Sequence, residues 1–384
     1  SFIVIKKSLS KKDIIKYYNN DLIYYSNDED IFLSDSKYVL IGNIYSNFVK
    51  DLNKTIKIPK PFVLNLKKSW IVGKKDRTPI FLDSKHRPIL ESCNSLTYYL
   101  YYSGAIIEIF FSKIINKKNL LKNVINITGT MTNNSFHWLV EYLPRLELYY
   151  EKILNDDYYL LIDNKPTKFQ TETLKLLNIP SEKILKWNGQ KTLCHDAFIP
   201  SIRHLNYSMS YQVYSKKAFD WVRLKLLNSV KNVPKNNNNI YISRRLSSTR
   251  RITNEILFKN YLLKYNFKFI CLEDLSAEEI ISYYRDAKII IAVHGAALSH
   301  TLFSNNCSII EIFPSNFKEV DSEKPNHICL SSFYQISSLY QFNHYTYVVK
   351  GKDKFDVDID ISKFSQFFES KILNEDSTIH TNNK

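Results

Sequence analysis

The feature that most constrains the fold is an alternation of apolar runs and amphipathic segments in the C-terminal half of the 384-residue chain. Short apolar runs joined by helix-length segments predict a parallel sheet with helices on both faces. The predicted elements are the strand Ile240–Ile242, the helix Thr253–Lys264, the strand Lys268–Leu272, the helix Ser276–Asp286, the strand Lys288–Val293 and the strand Ser308–Phe313. Ser276 and Glu279 have the spacing of a capping box, which fixes the start of the second helix.

A weaker version of the same rhythm occupies the middle of the chain, and the first 120 residues are strand-rich. There the pattern predicts the strands Tyr38–Ile41, Pro61–Leu66 and Ala105–Phe111, and an early helix near Lys11–Tyr18. Further along it predicts the strand Asn123–Ile127, the helix Phe136–Leu154, the strand Asp157–Ile162 and the helix Lys168–Leu177. The fold class is therefore α/β.

A chain of this length predicts two domains. We place the junction in the segment Cys194–Ser208, which a helix near Tyr211–Val230 follows. The N-terminal domain is then 1–205, with 1–120 strand-rich and 121–205 α/β. The C-terminal domain is 206–373, Rossmann-like and ending in a helix at Val357–Ile372, and we expect 374–384 to be disordered.

The formal net charge of +15 points to an anionic partner, such as nucleic acid, anionic lipid or a phosphorylated substrate. The lysines are scattered, so a merely solvated basic surface is the alternative. The five cysteines are widely spaced without a zinc-binding pattern, which favours a reducing compartment. No apolar run of about 18 residues appears. We therefore expect a cytoplasmic protein that can rest against the inner face of an anionic membrane.

The sharpest candidate site follows the strand Lys288–Val293. His294 and Gly295 form a turn there, and the small residues Ala296 and Ala297 open a helix. Ligands of α/β sheets bind at the carboxyl ends of strands, and free amides at a helix start favour phosphate. The alternative is a tight strand-to-helix turn with a structural histidine.

A second candidate is the loop after the strand Ile240–Ile242, which carries four arginines between residues 244 and 251. Guanidinium groups match phosphate geometry, and a diphosphate needs more than one positive group. The alternative is an exposed basic loop. Glu311 interrupts the last apolar strand, where it could bind ribose hydroxyls or pair with Arg244 or Arg251.

The third candidate is the pair His137 and Glu141, which share one face of the predicted helix. A carboxylate beside an imidazole orients it and raises its basicity, as a general base requires. A structural contact near the helix start is the alternative. The pair lacks the further ligands of a zinc site.

Together, these stretches resemble glycosyltransferase family 61 in content, order and separation, over about half of the chain. The matching stretches are 136–146, 241–255, 272–276, 292–299, Phe303 and 310–314. The resemblance implies a GT-B type fold, in which two Rossmann-like domains face each other across a cleft. The strand-rich N-terminal segment would be an addition to that fold.

The resemblance also implies inverting transfer of a sugar from a nucleotide sugar, without a metal or other cofactor. We expect a UDP-linked donor and, as acceptor, a glycan or lipid-linked glycan in surface polysaccharide synthesis, as in the bacterial branch. His137 or Glu141 would be the catalytic base. The implied donor-binding residues are Arg244, Arg245, Arg251, Glu255, Glu273, His294, Gly295, Ala296, Ala297 and Glu311.

Two other functions compete with this interpretation. A nucleic-acid-binding protein would account for the basic charge and for 27 Tyr and 23 Phe, but it should show a clustered basic stripe with exposed aromatics. The aromatic residues lie mostly at strand and helix positions, so we expect no nucleic-acid partner. An inactive GT-B scaffold would keep the fold without turnover.

Overall fold

The computed structural model describes residues 11–24, 27–34, 36–42, 53–92, 120–208, 211–230, 239–317 and 327–373. The chain divides into two compact units. The first unit comprises Ser1–Ile31, Ile56–Leu205 and Val213–Ser229, and the second comprises Phe32–Thr55, Asn206–Gln212 and Val230–Lys384. The predicted strand Ala105–Phe111 and the predicted disordered tail 374–384 lie outside the described residues.

The strands, in chain order, are β1 Leu22–Tyr24, β2 Glu29–Phe32, β3 Tyr38–Ile41, β4 Thr55–Ile58, β5 Phe62–Val72, β6 Ile80–Leu82, β7 Leu120–Leu121, β8 Val124–Asn126, β9 Tyr159–Ile162, β10 Ile184–Lys186, β11 Thr192–Pro200, β12 His204–Ser208, β13 Tyr211–Tyr214, β14 Asn239–Ile242, β15 Phe267–Ile270, β16 Ile289–Val293, β17 Ser308–Pro314 and β18 Asn343–Val349. The main helices are α1 Lys11–Tyr17, α2 Tyr150–Asn155, α3 Lys168–Leu176, α4 Lys216–Ser229, α5 Glu255–Leu263, α6 Ala277–Asp286, α7 His327–Tyr340 and α8 Ile361–Phe367.

The sheet of the first unit follows the order β1-β5-β11-β8-β9-β10, with β6 beside β5 and β7 beside β11. The strands β11, β8, β9 and β10 run parallel, and β5 is antiparallel to β11. A core of buried apolar side chains from α1, β5, β8 and β11 packs on this sheet. Because β8 and β9 are parallel neighbours, their carboxyl ends meet at one edge.

The sheet of the second unit is entirely parallel, in the order β15-β14-β16-β17-β18-β3. The chain leaves β14 toward β15 on one side and returns to β16 on the other. Connections that diverge in this way open a crevice between the carboxyl ends of the two strands. The predicted α/β class is confirmed, and the GT-B arrangement of two domains stays a prediction.

The predicted helix Phe136–Leu154 is correct in place but is not one α-helix. A composite helix covers 135–148: α-helical at Ser135–His137, a π-helix at Trp138–Tyr142, and 3-10 at Leu143–Leu148. The amide of Leu143 donates to the Trp138 carbonyl, five residues back. Pro144 has no amide hydrogen, so the α-helical pattern cannot continue through it. α2 then begins at Tyr150.

Two further predictions needed correction. The helix expected at Tyr211–Val230 begins at Lys216, because Tyr211–Tyr214 forms β13. The helix expected at Val357–Ile372 begins only at Ile361, and its last turns are a π-helix. α7 and β18 were not predicted. In the ranges the structure describes, no helix combines the length and the apolar character needed to cross a membrane.

Candidate functional site at the crevice of the second sheet

The turn between β16 and the following 3-10 helix lies at the crevice. β16 is a run of five buried apolar residues, and it delivers His294 and Gly295 to the carboxyl edge of the sheet. A Cβ atom built on Gly295 would lie 2.6 Å from Nη1 of Arg244 and 3.5 Å from Nη1 of Arg250. The missing side chain therefore lets two guanidinium groups approach the turn.

Arg244 follows β14 on the other side of the crevice. Its Nη2 donates to Ser247 Oγ at 2.9 Å, and its Nε donates to the Thr249 carbonyl at 3.2 Å. Burial, with the charge of Arg250 beside it, lowers the pKa of Arg244 to about 10. Among the residues that the structure describes, no carboxylate is in ion-pair contact with Arg244. An anion placed here would supply the missing opposite charge.

Arg250 comes from the same loop and approaches the turn directly. Its Nη1 donates to the carbonyl of His294 at 3.1 Å, and its guanidinium lies 5.0 Å from the ring centre of Phe317. Arg250 adopts a φ of 57°, a conformation uncommon for a residue with a side chain. Sequence reasoning did not single out Arg250. The cluster of four arginines was the only signal for it.

The other two predicted arginines point to carboxylates. Arg251 binds Asp356 three times: its amide donates at 2.7 Å, Nε at 3.2 Å and Nη2 at 2.9 Å. Arg245 forms an exposed ion pair with Asp274. The structure therefore brings Arg244 to the turn, whereas Arg251 and Arg245 hold the loop to its neighbours.

Ala296 and Ala297 open the 3-10 helix Ala296–Phe303. The first amides of a helix have no partners within it, so they can donate to a ligand. The hydroxyl of Tyr284 donates to the Ala297 carbonyl at 2.8 Å and fixes the position of this first turn.

Glu255 and Glu273 lie near the arginine loop but differ in exposure. Glu255 Oε1 accepts hydrogen bonds from Tyr241 at 2.8 Å and from Ser243 at 2.6 Å. Burial opposes its ionisation, but these hydroxyl groups and the ion pair with Lys259 at 3.2 Å together outweigh burial and lower the pKa of Glu255. Glu273 is exposed just after β15, and its Oε2 accepts a hydrogen bond from the Cys271 thiol at 3.2 Å.

Glu311 is fully buried and holds two histidines rather than Arg244 or Arg251. Its Oε1 contacts His294 Nδ1, and its Oε2 lies 3.0 Å from His344 Nε2. Burial opposes ionisation, but the two histidines outweigh it and lower the pKa of Glu311. An ionised carboxylate only accepts hydrogen bonds, so both histidines donate to it.

This arrangement fixes His294. Nδ1 carries the hydrogen that points to Glu311, which assigns the tautomer of the ring. The ring also packs against Phe313, Phe317 and Phe333, with centroid distances of 4.8, 5.0 and 5.1 Å. Burial lowers the pKa of His294 despite the carboxylate, so the neutral imidazole is favoured. Sequence reasoning missed His344 because it missed β18.

His137 and Glu141 lie in the first unit, in the composite helix. His137 Nδ1 lies 3.1 Å from Glu141 Oε2, which is an ion-pair distance but not a well-directed hydrogen bond. The side chain of His137 is 24% exposed, whereas Glu141 is buried. Burial opposes ionisation of Glu141, but His137 beside it, with His204 and Arg145 nearby, lowers its pKa. The pair places an imidazole beside a buried carboxylate, where solvent or a ligand can reach the ring.

The second unit therefore offers a positively charged crevice that suits a phosphate group. Two guanidinium groups and the first amides of a helix converge on one turn at the point where the sheet connections diverge. Within the described ranges, no group of three or more His, Cys, Asp or Glu side chains is arranged to hold a metal ion.

Residues 135–310 match the model of a protein family described as Glycosyltransferase 61. The match begins at the first residue of the composite helix and extends into β17. It therefore includes the His137–Glu141 pair, the arginine loop after β14 and the turn at His294 and Gly295. It covers somewhat less than half of the chain. A search of the curated proteins gave no match. The protein is a glycosyltransferase. Its segment 135–310 belongs to glycosyltransferase family 61.

Proposed function

We propose that the enzyme transfers a sugar from a nucleotide sugar to a hydroxyl group of a glycan or lipid-linked glycan, with inversion at the anomeric carbon. The observation that carries the proposal is the convergence of Arg244 and Arg250 on Gly295, with no carboxylate in ion-pair contact with Arg244 in the described part of the chain. A diphosphate leaving group supplies the charge that this crevice requires.

The donor site would work by electrostatic stabilisation. As the bond between the anomeric carbon and the diphosphate oxygen breaks, negative charge grows on the diphosphate. Arg244, Arg250 and the amides of Ala296 and Ala297 would stabilise that charge. Arg251 and Arg245 already bind carboxylates, so we assign them to holding the loop.

The acceptor oxygen would attack from the opposite face of the sugar and lose its proton to a base. We assign the base to His137, because its side chain is partly exposed and Glu141 is buried beside it. The lowered pKa of Glu141 makes it a weak base and a good orienting partner.

A thermal-shift panel of nucleoside mono- and diphosphates, with and without EDTA, tests the donor site. We expect a selective rise in Tm, with UDP the expected ligand, because a ligand that binds only the folded protein stabilises it. The rise should be unchanged by EDTA. Arg244→Ala should weaken nucleotide binding by about 1.5–3 kcal/mol, the worth of a charge-assisted contact.

Arg245→Ala is the matched control, because it removes an exposed arginine of the same loop. Equal nucleotide affinity in Arg244→Ala and Arg245→Ala would contradict the assignment of the crevice. A well-folded enzyme that no nucleotide stabilises would remove the nucleotide-sugar proposal. Binding to random oligonucleotides, weakening steeply with salt, would then support the nucleic-acid alternative.

We further propose that the basic surplus of the chain holds the enzyme at an anionic membrane surface on the cytoplasmic side. The net charge of +15 supports this proposal. The enzyme should cosediment with vesicles that contain anionic lipid at physiological salt and not with neutral vesicles. Equal recovery with both kinds of vesicle would contradict it.

A further inference from the structure

The carboxyl edge of the first unit's sheet carries a pocket of about 240 Å³ that the proposed donor site does not use. It lies where β8 and β9 end. Gly129 and Thr132 belong to the loop after β8, and Asp163 directly follows β9. Open α/β sheets bind their ligands at this edge.

The polar group at the base of the pocket is a carboxylate. Oδ2 of Asp163 accepts a hydrogen bond from Thr132 Oγ1 at 2.5 Å, and the carboxylate also accepts from the Gly129 amide and from its own backbone amide. No Lys or Arg in the described ranges forms an ion pair with Asp163. A carboxylate has about four acceptor positions, so Asp163 keeps capacity for ligand donors. The base of the pocket therefore favours hydroxyl groups and repels phosphate.

The rim of the pocket has the opposite charge. Lys75, Arg77 and Lys165 line it, and Lys165 forms an exposed pair with Asp76 at 3.1 Å. A cationic rim disfavours an ammonium ligand, just as an anionic base disfavours a phosphate. A neutral ligand with several hydroxyl groups satisfies both conditions.

Size and the remaining lining support the same class of ligand. Pockets for drug-sized molecules measure about 300–1,000 Å³, so this smaller one suits a single sugar ring better than a nucleotide. Asn133 is exposed at the mouth of the pocket, and its amide offers both a donor and an acceptor to vicinal hydroxyl groups.

We propose that this pocket binds one neutral sugar ring, whose hydroxyl groups donate to Asp163 and exchange hydrogen bonds with Asn133. That the ring belongs to the acceptor rests on the proposed function. The binding itself does not, because it depends only on groups of the first unit.

Saturation-transfer NMR on the full chain, with methyl glycosides of the common neutral hexoses and pentoses at tens of millimolar, tests the site. At least one glycoside should bind the wild type. Asn133→Ala should weaken that binding roughly 2- to 12-fold, and Asp163→Asn roughly 10- to 150-fold, as expected for a neutral and a charge-assisted hydrogen bond. Asn155→Ala is the matched control, since Asn155 is another exposed asparagine of the same unit. Asn155→Ala should bind the glycoside as tightly as the wild type does.

Three results would overturn the inference: no glycoside binding, binding that neither pocket variant changes, or a methyl glucuronide that binds as tightly as the matching glucoside. Asn133→Ala keeps the test valid if Asp163→Asn fails to fold. The nucleotide thermal shift is measured on the same samples. Nucleotide stabilisation without glycoside binding rejects only this inference, whereas glycoside binding without nucleotide stabilisation rejects only the donor-site proposal.

Discussion

The two sheets present the same kind of edge with opposite charge at its centre. In the second unit, Arg244 and Arg250 converge on the turn after β16. In the first unit, the carboxylate of Asp163 lies at the base of the pocket after β9. Parallel strands place loops at such an edge in both cases, but the loop residues decide which ligand can bind. One edge suits a diphosphate, and the other suits hydroxyl groups.

We call the carboxyl edge of the first unit's sheet the first edge and that of the second unit's sheet the second edge. The largest expected effect concerns the composite helix that follows the loop at the first edge. His137→Asn should lower kcat by about 10²–10⁴-fold, the usual contribution of a general base, while nucleotide affinity stays near that of the wild type. The measurement is turnover of the donor together with nucleotide binding on the same samples. Glu141→Gln is the comparison variant, and it should change the pH profile of kcat because it alters the orienting carboxylate.

Unchanged kcat in His137→Asn would show that the first edge does not supply the base. Parallel loss of nucleotide binding and kcat would instead indicate damage to the fold, which circular dichroism distinguishes.

The next largest effect is on stability, and it distinguishes the glycine at the first edge, Gly129, from the glycine at the second edge, Gly295. A Cβ atom at Gly129 would lie 2.0 Å from Cε1 of Tyr142, a fully buried ring whose hydroxyl donates to the Thr130 carbonyl at 2.7 Å. A packed ring cannot move aside, so Gly129→Ala should lower the free energy of unfolding by about 1–3 kcal/mol. Urea denaturation measures this, and a midpoint equal to that of the wild type would contradict the close packing.

The corresponding glycine at the second edge should behave differently. A Cβ atom at Gly295 meets the end of the flexible Arg244 side chain rather than a ring. Gly295→Ala should therefore leave stability almost unchanged but displace the guanidinium, at a cost of roughly 0.5–1.5 kcal/mol in nucleotide affinity. Isothermal calorimetry with UDP checks it. A loss of stability as large as that of Gly129→Ala would remove the distinction between the two edges.

The sequence predicts where the strands end at these edges better than it predicts the contacts of the loops that follow them. The apolar run of β16 and the small residues after it predicted the turn at His294 and Gly295, because local pattern decides such a turn. The local pattern does not predict which arginine of the loop after β14 faces the turn. Arg251 is held away from it by Asp356, which lies about a hundred residues further along the chain. A contact over that separation leaves no local signal.

The same limit applies to the other parts of the candidate site. The sequence shows Glu311 as a carboxylate in an apolar strand, but the pairing of Glu311 with His344 depends on the register of β17 and β18. The composite helix was located correctly, whereas its π-helical turn was not expected. Asp163 was not a candidate, because one aspartate after a strand carries no pattern of its own. Only the neighbouring loop makes it the base of a pocket.

The smallest expected effect is a pH dependence that tests the charge of the first edge. Burial raises the pKa of Asp163 to about 6, against hydrogen bonds that favour the ionised form. For a group whose pKa is raised on folding, the stabilising contribution is complete below the unfolded value of about 4 and is lost as the pH rises through 6. Asparagine does not titrate, so the Tm of Asp163→Asn relative to the wild type should increase between pH 5 and pH 7.5.

The charged neighbours of Asp163 do not obscure this difference. The other charged side chains that line the pocket are Lys75, Arg77, Lys165 and Asp76, and Lys165 lowers the pKa of Asp76, away from the interval between pH 5 and pH 7.5. Lysine and arginine side chains ordinarily titrate far above this interval. Other titrating groups are common to both proteins and cancel. Because Asp163 is only partly buried, the change should be on the order of 1 kcal/mol or less. A Tm difference that stays constant with pH would mean that Asp163 is already ionised at pH 5. Asp163 would then behave as a solvated surface carboxylate and not as the buried base of a pocket.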